Sequence, residues 1–148
     1  MLDANTGNPI GGFTSDTPPA FIGDLVLHVH DGTLVGVDIP NGQQLWSFAG
    51  DGDLTSVPLI VNQTIYIGSS SGTLYGLNTS GQQIWSTQVG APIPFPNEGN
   101  AIATTGLGSG DGLLVVPTDS VLVAYGACNG RCAPTPRPRP TPAPRPSP

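Results

Sequence analysis

The sequence has no lysine, and its four arginines (Arg131, Arg137, Arg139, Arg145) all fall in the last eighteen residues. Residues 1–130 therefore set nine Asp and one Glu, Glu98, against no Lys or Arg. Such a surface repels phosphates, which excludes nucleic-acid binding by counterion release and disfavours anionic membrane surfaces. Charged residues make up only 9% of the chain, too few for the body before the tail to stay disordered by charge repulsion. Gly, Ser, Thr, Asn and Gln carry the polarity, a profile of turn-rich, all-β extracytoplasmic proteins. No apolar run approaches the roughly 18 residues of a membrane span. The opening residues MLDANTG lack the basic and apolar regions of a secretory signal, so the chain is expected to be cytoplasmic or an internal piece of something longer.

What is present is a repeat. DGTLVGVDIPNGQQLWSF (31–48) returns as SGTLYGLNTSGQQIWST (71–87) with one residue deleted, and nine of seventeen aligned positions are identical. Gly32/Gly72, Gly42/Gly81 and Trp46/Trp85 are among them. Upstream, Pro18 and Pro58 are forty apart and LVLHV (25–29) falls on IYIGS (65–69). A period near forty with short alternating strands is the length of a four-stranded propeller blade.

Turn signals and period-two alternation predict strands near 18–22, 25–30, 33–38 and 43–48, then 57–61, 64–69, 73–78 and 83–88. Asn62-Gln63, Ser71-Gly72 and Ser80-Gly81 supply residues that tolerate positive φ in tight hairpins. LDANTGNPI (2–10) matches the third strand, turn and fourth strand at VDIPNGQQL (37–45). Residues 100–106, 112–118 and 120–126 read as first, second and third strands with no fourth, and the glycine-rich GLGSGDG (106–112) as a flexible connection.

The fold class expected is thus all-β, with antiparallel four-stranded propeller blades, two complete (about 18–48 and 56–88) and two partial (99–125 and 2–13). Residues 1–126 form the incomplete ring. A Cys-bounded loop (127–132) and a Pro/Arg-rich linker or tail (133–148), extended as polyproline II, follow.

LDANTG (2–7), DGTLVGVD (31–38) and SGTLYGLN (71–78), each complete repeat followed by its Trp, resemble the pyrroloquinoline quinone (PQQ)-like propeller repeat. This repeat is shared by quinoprotein dehydrogenases and outer-membrane assembly lipoproteins. The resemblance implies that Trp46 and Trp85 dock adjacent blades, and that the protein works in the cell envelope or outside the cell. The dehydrogenases also need PQQ, Ca²⁺, a catalytic Asp and a disulfide between adjacent cysteines. This chain has one Glu, and Cys128 and Cys132 stand three residues apart, so neither PQQ nor Ca²⁺ is expected.

His28 and His30 share one strand face and, with Asp31, form the candidate metal set, though Asp31 also fits a hairpin turn and a solvated or channel-facing strand explains the pair. The paired aspartates of AGDGDL (49–54) read as a solvated inter-blade loop rather than a Ca²⁺ site. Cys128 and Cys132 could close a small disulfide loop in an oxidising compartment. Glycines 32, 42, 72 and 81 and the two tryptophans are structural.

Two whole blades cannot close a ring of the usual four to about eight. Completion is expected from a longer chain, or from copies arranged head to tail with each 8–13 strand finishing a neighbour's last blade; two copies would make six blades. The function expected is a non-catalytic binding or scaffolding module with protein partners or self-association. A fragment of a PQQ-dependent dehydrogenase and a surface adhesin or lectin-like module that takes glycans are the alternatives.

Overall fold

A computed structural model describes residues 5–9, 11–96 and 106–126. The strands are β1 (Ala20–Ile22), β2 (Leu25–His30), β3 (Thr33–Asp38), β4 (Gln43–Phe48), β5 (Leu59–Val61), β6 (Thr64–Gly68), β7 (Thr73–Leu77), β8 (Gln83–Gln88), β9 (Gly108–Gly110), β10 (Leu113–Pro117) and β11 (Leu122–Gly126). They form three antiparallel meanders, β1-β2-β3-β4, β5-β6-β7-β8 and β9-β10-β11. Among the described residues there is no helix and no closed sheet.

The turns follow from local chemistry. Asp31-Gly32 (φ 46° and 68°) and Asn62-Gln63 (φ 47° and 65°) place two consecutive residues at positive φ, the two-residue hairpin whose twist matches its strands. The β6–β7 connection is one residue longer: Ser69 N donates to Thr73 O at 2.9 Å, leaving Ser70, Ser71 and Gly72 in the loop.

That extra residue changes the expected register. Val26 pairs with Val37 and Leu27 with Gly36, whereas Ile65 pairs with Leu77 and Tyr66 with Gly76. Residues of β2 and β6 that play the same part are thus 39 apart, not forty, and Pro58 corresponds to Pro19. Because side chains alternate, a slip of one residue exchanges the two faces of a strand. His28 therefore takes the place of buried Ile67.

A bulge recurs in both full blades. Gly36 faces Trp46 while Val37 faces Gln44, and Gly76 faces Trp85 while Leu77 faces Gln83. Leu45 and Ile84 are left over and lie exposed, each just before its tryptophan. Packing then stacks sheet on sheet. One buried cluster joins Leu27, Val29 and Leu34 to Ile65, Ile67 and Leu77 across the first two sheets. A second joins Leu74 and Ile93 to Leu114 and Val116 across the second and third. At about 25 cal/mol per Å² of apolar area, these two clusters rather than the separate sheets hold the fold together.

The third sheet departs from expectation at its start. The strand beside β10 is Gly108–Gly110, inside the stretch read as a loose connection. Leu107 anchors it to the second cluster. No fourth strand lies beside β11 among the described residues. Cys128, Cys132, Glu98 and the tail 133–148 fall outside the described residues.

Candidate functional site

Two regions gather chemistry-bearing side chains. The first is the end of the sheets that carries the β2–β3 and β6–β7 hairpins together with the connections between blades. Each hairpin glycine lies against a connection: Leu54 N donates to Gly32 O at 3.1 Å and Val89 N to Gly72 O at 2.8 Å. Asp51, in the connection 49–56, accepts hydrogen bonds from Ser71 Oγ, from Ser69 Oγ at 2.7 Å and from Asp53 N at 3.2 Å. Desolvation by itself would raise the carboxyl's pKa. These donors together outweigh it and hold the group below the usual carboxylate range. The AGDGDL loop is thus more than a solvated link: Asp51 latches the exit of the first blade onto the hairpin of the second.

His28, His30 and Asp31 are not brought together as one set. His28 is buried beneath Phe13, its ring stacked at 4.6 Å between centroids, and its Nδ1 has no hydrogen-bond partner. The expectation of a solvated strand face is corrected there, because residues 11–17 lie over it. His30 instead sits between two carboxylates, with Nδ1 3.6 Å from Asp16 and Nε2 3.6 Å from Asp31. Asp31 N also donates to Asp16 Oδ2 at 2.6 Å. The nearest approach to a metal-ligating group among the described residues is therefore Asp16–His30–Asp31, all exposed. Asp16 gave no sequence signal; it arrives by backbone pairing, its N–H donating to Val29 O at 2.8 Å.

Burial pushes the His28 pKa below its ordinary value, and the neighbouring His30 adds to this; Asp16 and a Thr14 backbone hydrogen bond oppose it. A depressed histidine contributes stability above the unfolded pKa of about 6.5 that is lost as pH falls. The denaturation midpoint should therefore be lower at mildly acidic pH than at neutral pH, with a smaller drop in His28→Leu. Urea titrations at the two pH values check this; equal drops in both proteins would assign the effect elsewhere.

The second region is the junction between blades. Trp46 projects from β4, donates Nε1–H to Thr79 O at 3.0 Å and covers Gly36 and Gly81. A Cβ at Gly81 would stand 2.4 Å from its ring. Gly42 has the same positive φ but nothing within 4 Å of its Cβ position. Trp85 occupies the matching place on β8, meets the next blade through Tyr125, edge-on at 5.9 Å, and stands edge-on to Tyr66 of its own blade at 6.2 Å. It remains 37% exposed beside a groove of about 530 Å³ whose lining includes Tyr66, Ile84, Leu113 and Tyr125.

Meanders stacked face on face and locked by a tryptophan on an outer strand define a partial β-propeller of the PQQ-like type. The chain belongs to the family described as outer membrane protein assembly factor BamB, which it matches over residues 1–131. It is similar to BamB from Moraxella catarrhalis, with 26% identity and a TM-score of 0.66 over 84% of this chain and 38% of that one. A europium-containing methanol dehydrogenase shares the fold alone, at 11% identity and a TM-score of 0.54 over 73% of this chain and 22% of that one. Tetrathionate hydrolase of Acidithiobacillus ferrooxidans is 35% identical over 65 residues, 43% of this chain. The chain spans 13% of that hydrolase's length. No helix of the described residues is long and apolar enough to cross a membrane.

Proposed function

We propose that this chain is a non-catalytic propeller module of the cell envelope that binds or scaffolds another protein. The observation that carries this reading is β11. It is the third strand of a sheet with no fourth beside it among the described residues, and Leu122 on it is 70% exposed. An open sheet edge receives an added strand through main-chain hydrogen bonds, with side-chain pockets supplying selectivity. The family's description as an assembly factor supports a role of that kind.

Quinone chemistry fits the residues poorly. PQQ carries three carboxylates, and no Lys or Arg stands among the described residues to meet them. The carboxylates that might hold Ca²⁺ are engaged, Asp51 by two serines and Asp16 by the Asp31 amide and His30. A second reading, a segment of a larger enzyme, draws on the 65-residue likeness to tetrathionate hydrolase.

A photo-crosslinker at Leu122, activated in the host, tests the first reading, with a discrete protein adduct as the expected result. Absence of any adduct would sink it. So would dye reduction after adding PQQ and Ca²⁺, or turnover of tetrathionate by the purified chain.

A further inference from the structure

The two blade junctions differ in one polar atom. Trp46 Nε1–H donates to the Thr79 carbonyl, whereas Trp85 Nε1–H finds no acceptor among the described residues. The groove of about 530 Å³ beside Trp85 therefore offers an indole donor together with three aromatic rings. Trp85 meets Tyr66 and Tyr125 almost perpendicularly, at 81° and 86°, so the rings form a stepped wall rather than a closed stack. Asn62, Thr64 and Ser109 add an amide and two hydroxyls, and none of the described lining residues is charged.

A ligand suited to such a wall combines rigid apolar rings with unpaired carbonyls. A polyproline II chain has both. It makes no internal hydrogen bonds, so its carbonyls await donors, and its prolines pack on aromatic side chains at low entropic cost. A helix offers neither, since its carbonyls are already paired within it.

The sequence carries such a segment. Residues 133–148 place proline at every second position from Pro134 to Pro148. They lie outside the described residues, but the point from which the chain reaches them does not: β11 ends at Gly126, itself part of the groove wall. Six residues, 127–132, intervene, among them the turn pair Asn129-Gly130. At about 3.1 Å per residue the proline-rich stretch spans roughly 50 Å, so reach sets no limit.

Charge agrees. Residues 133–148 carry Arg137, Arg139 and Arg145 and no acid, whereas residues 1–126 carry nine Asp and one Glu with no Lys or Arg. One of these acids, Asp111, is exposed in the β9–β10 turn between the lining residues Gly110 and Gly112. A guanidinium can pair with that carboxylate while another lies over an aromatic face. The neutral lining lets prolines enter without desolvating an ionised group.

We infer that residues 133–148 of the same chain dock in this groove, prolines against Trp85, Tyr66 and Tyr125, a backbone carbonyl on Trp85 Nε1–H and an arginine beside Asp111. The short tether holds the segment at an effective concentration on the order of millimolar, so a modest affinity suffices. This goes beyond the binding role assigned to β11, because Leu122 is not among the groove's lining residues. Any proline-rich partner of the groove would have to displace the tail.

Photo-crosslinking in the full chain tests it, with p-benzoylphenylalanine in place of Thr141 and far-UV circular dichroism to verify folding. Illumination of dilute protein should give an intrachain adduct that peptide mapping places on Tyr66, Trp85, Leu113 or Tyr125. Trp85→Ala should lower its yield roughly tenfold, as loss of a central aromatic anchor does. Asp111→Asn keeps a residue that tolerates the φ of 49° and should lower the yield roughly threefold, the scale of an exposed ion pair. If Trp85→Ala fails to fold, the combined Arg137→Gln, Arg139→Gln and Arg145→Gln variant decides, since it leaves the blades untouched; its yield should also fall. Absence of an adduct overturns the proposal, as do adducts scattered outside the groove or a yield that the deciding variant leaves unchanged. An adduct joining two chains would assign the groove to a second copy's tail and overturn docking within one chain. Loss of the Thr141 adduct with the Leu122 adduct retained would overturn tail docking alone and leave the binding role standing.

Discussion

Trp46→Ala should lower the unfolding free energy by about 3 kcal/mol, the lower end of the range for truncating a packed aromatic. Two contributions add. The indole N–H loses its bond to Thr79 O, and that carbonyl loses its donor. The ring also closes over Gly36 and Gly81, where a Cβ would fall 2.4 Å from it in each case, so its removal leaves a cavity spanning two blades. Urea denaturation measures the loss, and Trp46→Phe should recover the packing without the hydrogen bond. Trp85→Ala should cost clearly less in a single chain, because its ring is partly exposed and its contacts are edge-on rings. Equal losses for the two alanine variants would mean that the tryptophans do not differ in how they lock neighbouring blades.

Gly32→Ala is expected to be comparably damaging for a different reason. Its φ of 68° already costs a residue with a Cβ about 1 kcal/mol or more. Its Cβ would also stand 2.1 Å from Gly52 O and 2.9 Å from Gly52 C, backbone atoms that a rotamer change cannot move away. The connection 49–56 would have to lift from the hairpin, straining the Leu54 N to Gly32 O bond and the cluster around buried Leu54. A total near 3 kcal/mol follows from strain plus overpacking. Gly112→Ala is the control, since it has a φ of 74° with nothing within 4 Å and should cost only about 1 kcal/mol. Chemical denaturation of the two variants separates backbone strain from collision; similar losses would show that the close approach to Gly52 carries no weight.

Much of the blade was written locally. Turn pairs such as Asp31-Gly32 and Asn62-Gln63, and apolar alternation between them, fix hairpins without help from distant residues, so β2 to β4 and β6 to β8 fall close to where the sequence put them. The spacing of Trp46 and Trp85 was equally legible, because it follows from the repeat. The face presented by β2 was not. One additional residue in the β6–β7 loop shifts the correspondence from forty to 39, and with it His28 turns from an open strand face into the core under Phe13. No local signal predicts that, since it depends on counting through two hairpins.

The partners of the acidic residues were also beyond the sequence. Asp51 finds Ser69 and Ser71, eighteen and twenty residues on, and Asp16 reaches His30 and Asp31 because its N–H donates to Val29 O on β2. β9 is the converse case: glycine-rich residues with no strand propensity of their own extend because β10 offers a ladder and Leu107 an anchor. By itself, then, the sequence determined the repeat, the hairpins and the absence of Lys and Arg before residue 131, all of which depend on residue type and short spacing. Only the tertiary structure decided which side chains are buried together and which sheet has no fourth strand among the described residues, because those depend on sheets stacking across forty residues of chain.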